Sequence, residues 1–195
     1  MSLAQDKTVE NLIRYLNGIS QLDQVASDDL LKDFKTETFN KNDFLLKPQE
    51  VCKYFYFVEN GLTKSFSYNK NQEFIMAFFQ ENMMFTELTS YLAQKPSKYI
   101  LIALEKTTIK YIHKDAIERH CKRHHCIETL VRKLFTITSV CFMNRISEML
   151  EENATERYNN FIDKYPDLLQ RISLGDLANY IGITQVSLSR IRANK

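Results

Sequence analysis

Ser173-Leu-Gly-Asp-Leu-Ala-Asn-Tyr-Ile-Gly-Ile-Thr-Gln-Val-Ser-Leu-Ser-Arg-Ile-Arg192 decides how this chain is read. Two short amphipathic helices fit it, with a tight turn between them. Leu174, Leu177 and Ile181 form the inward face of the first, and Ile183, Leu188 and Ile191 that of the second. Ala178 is small where the second helix must cross closely. Gly182, four residues on, supplies the positive φ that the turn needs. Ser173-x-x-Asp176 resembles a capping box, and Thr184 fits the N-cap of the second helix. The outer face of that helix holds Gln185, Ser187, Ser189, Arg190 and Arg192, and no acid occurs from Thr184 to Lys195. This is a helix-turn-helix with a recognition helix suited to the major groove of double-stranded DNA. Gln pairs with adenine, Arg with guanine, Ser with a base or phosphate, and Val186 meets a thymine methyl. The expected DNA-binding residues are Thr184, Gln185, Val186, Ser187, Ser189, Arg190 and Arg192. An ordinary amphipathic helix pair fits this combination of Ala, Gly, Thr and Arg less well.

Working outward, residues 106–133 carry eight Lys/Arg against three Asp/Glu, whereas residues 1–105 are acidic on balance. The whole chain has a net charge of only +2. A basic middle is compatible with a nucleic-acid surface and equally with a solvated helix face. Upstream of the motif, Ala154–Lys164 reads as a helix stopped at Tyr165-Pro166, and Asp167–Arg171 as a short one. No Gly or Pro occurs from 97 to 165, and apolar residues recur helically at Ile127, Leu130, Val131, Leu134, Ile137, Cys141, Ile146, Met149 and Leu150. The economical reading is one long helix over 115–150. Its seam is expected to pack against a second copy of the chain, with Cys141 in that seam. The other reading lays the helix wholly on its own sheet.

Before residue 114 the texture is different. Runs at 36–39, 44–46, 54–59, 62–68, 74–79, 99–104 and 108–112 are β-branched or aromatic. Turn signals separate them at Asn40–Asp43, Lys47-Pro48, Asn60-Gly61 and Asn69–Asn71. Asn60-Gly61 predicts a hairpin turn. Many short punctuated strands predict a small sandwich or barrel. Residues 7–19 read as a helix with Val9, Leu12, Ile13 and Leu16 on one face. Ser27–Phe34 reads as another, capped by Ser27.

With 195 residues, four glycines and three prolines, the chain is neither collagen-like nor low-complexity. No glycine-rich phosphate loop occurs. No apolar run reaches the length of a membrane span or signal peptide, and four irregularly spaced cysteines suit reduced thiols in the cytoplasm. No nucleophile–base pair suggests an enzyme.

These segments together resemble the Crp/Fnr (cyclic-AMP receptor protein) family of transcription regulators over about residues 10–195. The resemblance rests on Tyr54–Gly61, Asn69–Phe79, Phe85-Thr-Glu-Leu88, the long helix, Glu156-Arg-Tyr158, Tyr165-Pro166 and Leu188-Ser-Arg-Ile-Arg192. It implies an α+β chain. A cyclic-nucleotide-binding-like β-roll (a jelly roll) with flanking helices is expected over 1–114, a long dimerisation helix over 115–152 and a winged-helix-like helix-turn-helix domain over 153–195. The resemblance is to the short members that are expected to end soon after the recognition helix. The resemblance implies a homodimer on double-stranded DNA, RNA polymerase as a further partner, and no membrane. Members that bind cyclic AMP have Gly-Glu-Leu, whose Glu holds the ribose, and a later Arg-Ser that holds the phosphate. Here Thr86 replaces that glycine, Glu87 remains, and Ser97-Lys98 stands at the arginine. The expected effector residues are therefore Glu87, Ser97 and Lys98. They suit no cyclic nucleotide, so the expected cofactor is none, or another small molecule. The family's Arg-Glu at the recognition-helix start is Gln185-Val186 here. The alternative is a small-molecule or protein-interaction module whose helix-turn-helix no longer reads DNA.

His120-Cys121-Lys-Arg-His124-His125-Cys126 pairs possible metal ligands at helical spacing. With Lys122 and Arg123 inside it, it reads as a solvated basic helix start, and no metal is expected.

Overall fold

The computed structural model describes residues 3–70 and 72–193. Asn71 of the expected turn, Lys195 and the side chain of Val9 lie outside that description. The chain forms α1 (Leu3–Ile19), α2 (Gln24–Lys32), β1 (Lys35–Phe39), β2 (Phe44–Leu46), β3 (Tyr54–Asn60), β4 (Thr63–Asn69), β5 (Gln72–Phe79), β6 (Met84–Phe85), α3 (Leu88–Ala93), β7 (Ile100–Ala103), β8 (Thr107–His113), α4 (Lys114–Arg123), α5 (His125–Glu151), α6 (Ala154–Lys164), a 3-10 turn (Pro166–Gln170), α7 (Leu174–Ile181) and α8 (Gln185–Ala193). Two four-stranded sheets, β1-β8-β3-β6 and β2-β7-β4-β5, make the β-roll. Only helices follow β8 among the described residues, so the expected wing has no counterpart there. Contacts divide the chain into two compact units, Met1–Ser65 with Phe78–Ile137 and Phe66–Ala77 with Thr138–Lys195.

β3 is the core strand because both its faces are covered. On one face, Phe57 is fully buried with its ring 5.5 Å from that of Tyr15, and Phe55 meets Tyr91 at 4.7 Å and Phe135 at 5.7 Å. On the other, Tyr56 stacks on Phe85, and Phe85 on Phe79 at 4.0 Å. Such pairs add to the area they bury. Leu12 and Leu16 of α1 and Ile127, Leu130 and Leu134 of α5 join this core. One polar pair interrupts it. The Lys110 ammonium lies 3.4 Å from the Glu59 carboxylate, and both side chains are buried. Asn11 donates to the other Glu59 oxygen. Glu59 sits where the β3–β8 register shifts between Val58 and Asn60, and such a bulge re-aims a side chain.

Several expectations are corrected. Asn60-Gly61 is no hairpin turn: β3 and β4 belong to different sheets, and the pair carries the chain from one to the other. Gly61 is required by that crossing, since its φ is +104° and a Cβ would meet the Thr107 backbone at 2.7 Å. Asp23, not Ser27, caps α2 by accepting from the Ala26 N–H, and Ser27 is buried within the helix. β6 escaped the sequence because two residues are too few to show a period.

The single helix over 115–150 is two. α4 and α5 part at His124, whose φ is −131° and ψ 108°. No Gly or Pro breaks them; tertiary contacts do. His120 bonds Asp33 at 2.8 Å, His124 bonds Asp29 at 3.2 Å, Arg119 pairs with Asp33 and Arg123 with Asp29. The basic stretch keeps Lys122, Arg123 and His125 exposed, as a solvated helix start does, but it also docks on α2. His120, His124, Arg119 and Arg123 reach the acids of α2, His125 is exposed beside Glu128, and Lys133 donates to the Ile19 carbonyl. Of the His/Cys set His120 and His124 dock on α2, and no group of three potential metal ligands forms among the described residues.

Lys32, followed by His124, holds the Asp29 carboxyl below its ordinary value of 3.8, and the Ala26 N–H does the same for Asp23. A carboxylate with a depressed pKa stabilises the fold above the ordinary value, and that stability is lost as pH falls through the depressed one. Chemical denaturation below about pH 4 should thus show a steep acid loss. Asp29→Asn should flatten that loss while lowering stability at neutral pH. An unchanged acid limb would remove Asp29 from the anchoring of α2.

Candidate nucleic-acid interface and effector site

The α7–α8 pair is built as its residue types demand. The Ser173 hydroxyl accepts from the Asp176 N–H at 3.0 Å and Asp176 returns a bond to Ser173, completing the capping box. Gly182 ends α7 with φ +79°, and the N–H groups of Gly182 and Ile183 both donate to the Ala178 carbonyl. A Cβ on Gly182 would also meet the Met149 methyl at 2.9 Å. Thr184 Oγ1 accepts from the Ser187 N–H at 3.2 Å and so starts α8. Leu177, Ala178, Ile181 and Leu188 are buried. Ile183 and Ile191 are half-buried, and Leu174, expected inside, is exposed. It stands in the first turn of α7, ahead of the crossing.

Of the seven expected DNA contacts, Thr184, Gln185, Val186, Ser189, Arg190 and Arg192 are exposed and Ser187 half-buried. Thr184 and Ser187 bond each other at 3.0 Å. Gly175 lies under Gln185: a Cβ there would come within 2.9 Å of the Gln185 amide nitrogen. Gly175→Ala should displace the Gln185 side chain and leave the fold intact, because only a flexible end must move. The check is a thermal melt changed by less than about 1 kcal/mol beside a shifted Gln185 side-chain amide signal.

Sequence reasoning missed what steadies this pair. Arg145 of α5 is buried. It donates to the Tyr180 carbonyl and to Glu148, and its guanidinium lies 3.9 Å from the Tyr180 ring centroid. Burial pushes the Tyr180 hydroxyl up to about 12. Arg157 donates to the Ile181 carbonyl at 2.8 Å and to that of Glu152. The available signal was Arg145 as the one charged residue from Leu134 to Ser147 of α5.

The three expected effector residues are each occupied locally. Glu87 is buried and caps α3, accepting from the Ser90 N–H at 2.8 Å. The Ser97 hydroxyl is buried between the N–H and carbonyl of Tyr99, both at 2.9 Å. Lys98 is exposed, its ammonium 5.0 Å from the Tyr99 ring. A cyclic phosphate needs a fork or nest of free donors. These residues do not supply one, so the site does not fit that group.

On α5, Ile137, Val140, Met143, Ile146 and Leu150 are all exposed, and so is Cys141, which was expected in a seam. The earlier part of that seam, Ile127, Leu130 and Leu134, packs on the roll instead.

Residues 36–124 match the cyclic nucleotide-binding domain family. No curated protein matches the chain in sequence. Its structure is similar to FixK2 of Bradyrhizobium japonicum, at 17% identity and TM-score 0.71 over 83% of each chain. It is also similar to CLP of Xanthomonas campestris, a c-di-GMP-responsive global regulator, at 12% and 0.70 over 88% of this chain and 91% of that one. A third likeness is a crp/fnr-family chain from Eubacterium rectale, at 12% and 0.68 over 87% and 82%. Residues 36–124 thus resemble a cyclic nucleotide-binding domain, and the fold is like that of these solved chains. Among the described residues no helix is long and apolar enough to cross a membrane.

Proposed function

We propose that this chain is a sequence-specific DNA-binding transcription regulator of the Crp/Fnr type rather than an enzyme. It acts in the cytoplasm as a dimer joined through α5, with RNA polymerase as a further partner and a roll that senses an effector other than cyclic AMP. The observation that carries this reading is the outer face of α8, acid-free, exposed and started by a cap at Thr184. The exposed apolar row of α5 supports the dimer, since such a row is stable in water only when covered. The local engagement of Glu87 and Ser97 supports an effector other than cyclic AMP. A symmetric dimer sets two α8 helices on half-sites one turn of DNA apart, about 34–36 Å.

Selection from a randomised duplex pool at low salt tests the proposal. Enrichment of a two-fold symmetric site is expected, and no enrichment would favour an interaction module that no longer reads DNA. On the selected site, Arg190→Ala should weaken binding by roughly 1–3 kcal/mol if it reads a base. Unchanged affinity would take Arg190 out of the interface. Light scattering of Ile146→Asp checks the dimer, and a mass equal to that of the parent would exclude α5 as its seam.

A further inference from the structure

A cleft of about 370 Å³ opens between α3, α4 and α5, a volume in the range of small-molecule sites. Its walls are Tyr91 and Leu92 from α3, Ile117 from α4, and Val131 and Phe135 from α5. Leu92 is 56% exposed, costly for a leucine with nothing against it. The Phe135 ring continues the cleft floor into the core, 6.5 Å from Tyr91 and 5.7 Å from Phe55. The place is distinct from Glu87, Ser97 and Lys98, none of which lines it.

Charge decides what suits it. Four charged side chains border the cleft: Lys114, Glu118, Lys122 and Glu128. Lys114 is committed, donating to the Tyr91 carbonyl at 3.2 Å and pairing with Glu118 at 3.7 Å. Glu128 is exposed and lies 3.7 Å from His125, an ion pair when that imidazole is protonated. Lys122 is exposed and makes no ion pair among the described residues. The cleft thus presents an apolar trough with one unengaged cation. Burial raises the pKa of Cys121 in its wall, so that thiol stays neutral at neutral pH.

We propose that this cleft binds a small organic anion with an apolar body, a medium-chain or aromatic carboxylate, whose head meets Lys122 and whose body lies between Tyr91, Leu92, Val131 and Phe135. Binding does not depend on whether α8 reads DNA. Because α4 and α5 supply opposite walls, the ligand spans the break at His124.

The probes are 8-anilinonaphthalene-1-sulfonate, octanoate and 1-octanol, titrated against the full chain. Saturable fluorescence of the sulfonate, displaced by octanoate, is expected. Val131→Trp, which fills the trough, should abolish it with the circular dichroism unchanged. Lys122→Glu should weaken octanoate about tenfold or more and leave octanol unaffected, so that a folding defect is separated from a lost contact. Equal octanoate affinity in Lys122→Glu would overturn the proposal, as would sulfonate binding that survives Val131→Trp. A Val131→Trp change that alters the mass in light scattering and leaves the sulfonate isotherm intact would also overturn it, giving the cleft to a second copy of the chain.

Discussion

Glu59→Gln should cost about 3–5 kcal/mol in urea denaturation, because it leaves Lys110 charged, buried and without a counter-charge. The amide keeps the shape of the carboxylate, so the loss reports charge and not a cavity. Burial already holds the Lys110 pKa below its ordinary value, against the pull of Glu59. Without Glu59 that depression deepens. A neutral amine has no charge to bury, so the variant should regain stability as pH rises toward the ordinary lysine value of 10.5. The double change Glu59→Leu with Lys110→Met should restore most of the loss, since apolar side chains of similar size replace a buried pair at little cost. A single-variant cost under about 1 kcal/mol would show that water reaches the pair.

The second large effect is expected at Arg145. A charge-assisted hydrogen bond contributes about 1.5–3 kcal/mol, and a desolvated cation–π contact up to about 2. Arg145→Met keeps the length of the stem and removes both from Tyr180. Local stability of α7 and α8 should fall by roughly 2–4 kcal/mol, read as amide exchange faster by about one and a half to three decades. Protection of the residue 12 and residue 130 amides, in the other unit, should not change. Unaltered exchange in α7 would show that Arg145 does not steady the pair.

What the sequence made legible follows from the range of the forces involved. Capping, positive φ and helical period act within a few residues, so Ser173, Gly182 and Thr184 could be read directly. The strands from Phe44 to Ile112 were likewise near their observed places. Asn60-Gly61 misled because a positive φ at one glycine suits a sheet crossing as well as a hairpin, and only the Thr107 backbone distinguishes them. His124 misled because its break is imposed by Asp29, ninety-five positions away in the chain. Glu87 reads as a ligand, and a glutamate just before a helix serves as a cap as readily. Arg145 and the cleft beside Leu92 depend on elements meeting in space, which no local pattern announces.

The break at His124 has a consequence for phase. Successive residues of an α-helix are turned by about 100° around its axis. One residue held out of helical geometry therefore cancels a step and resets the azimuth of everything after it. The apolar stripe of α5 is thus indexed from His125, not from Lys114. A change on α2 that freed His124 to join the helix would shift the phase of the first turns of α5 against α4 by an angle of that order. Asp29 and Asp33 thus act as the keying that sets the residue from which the helical phase of α5 is counted.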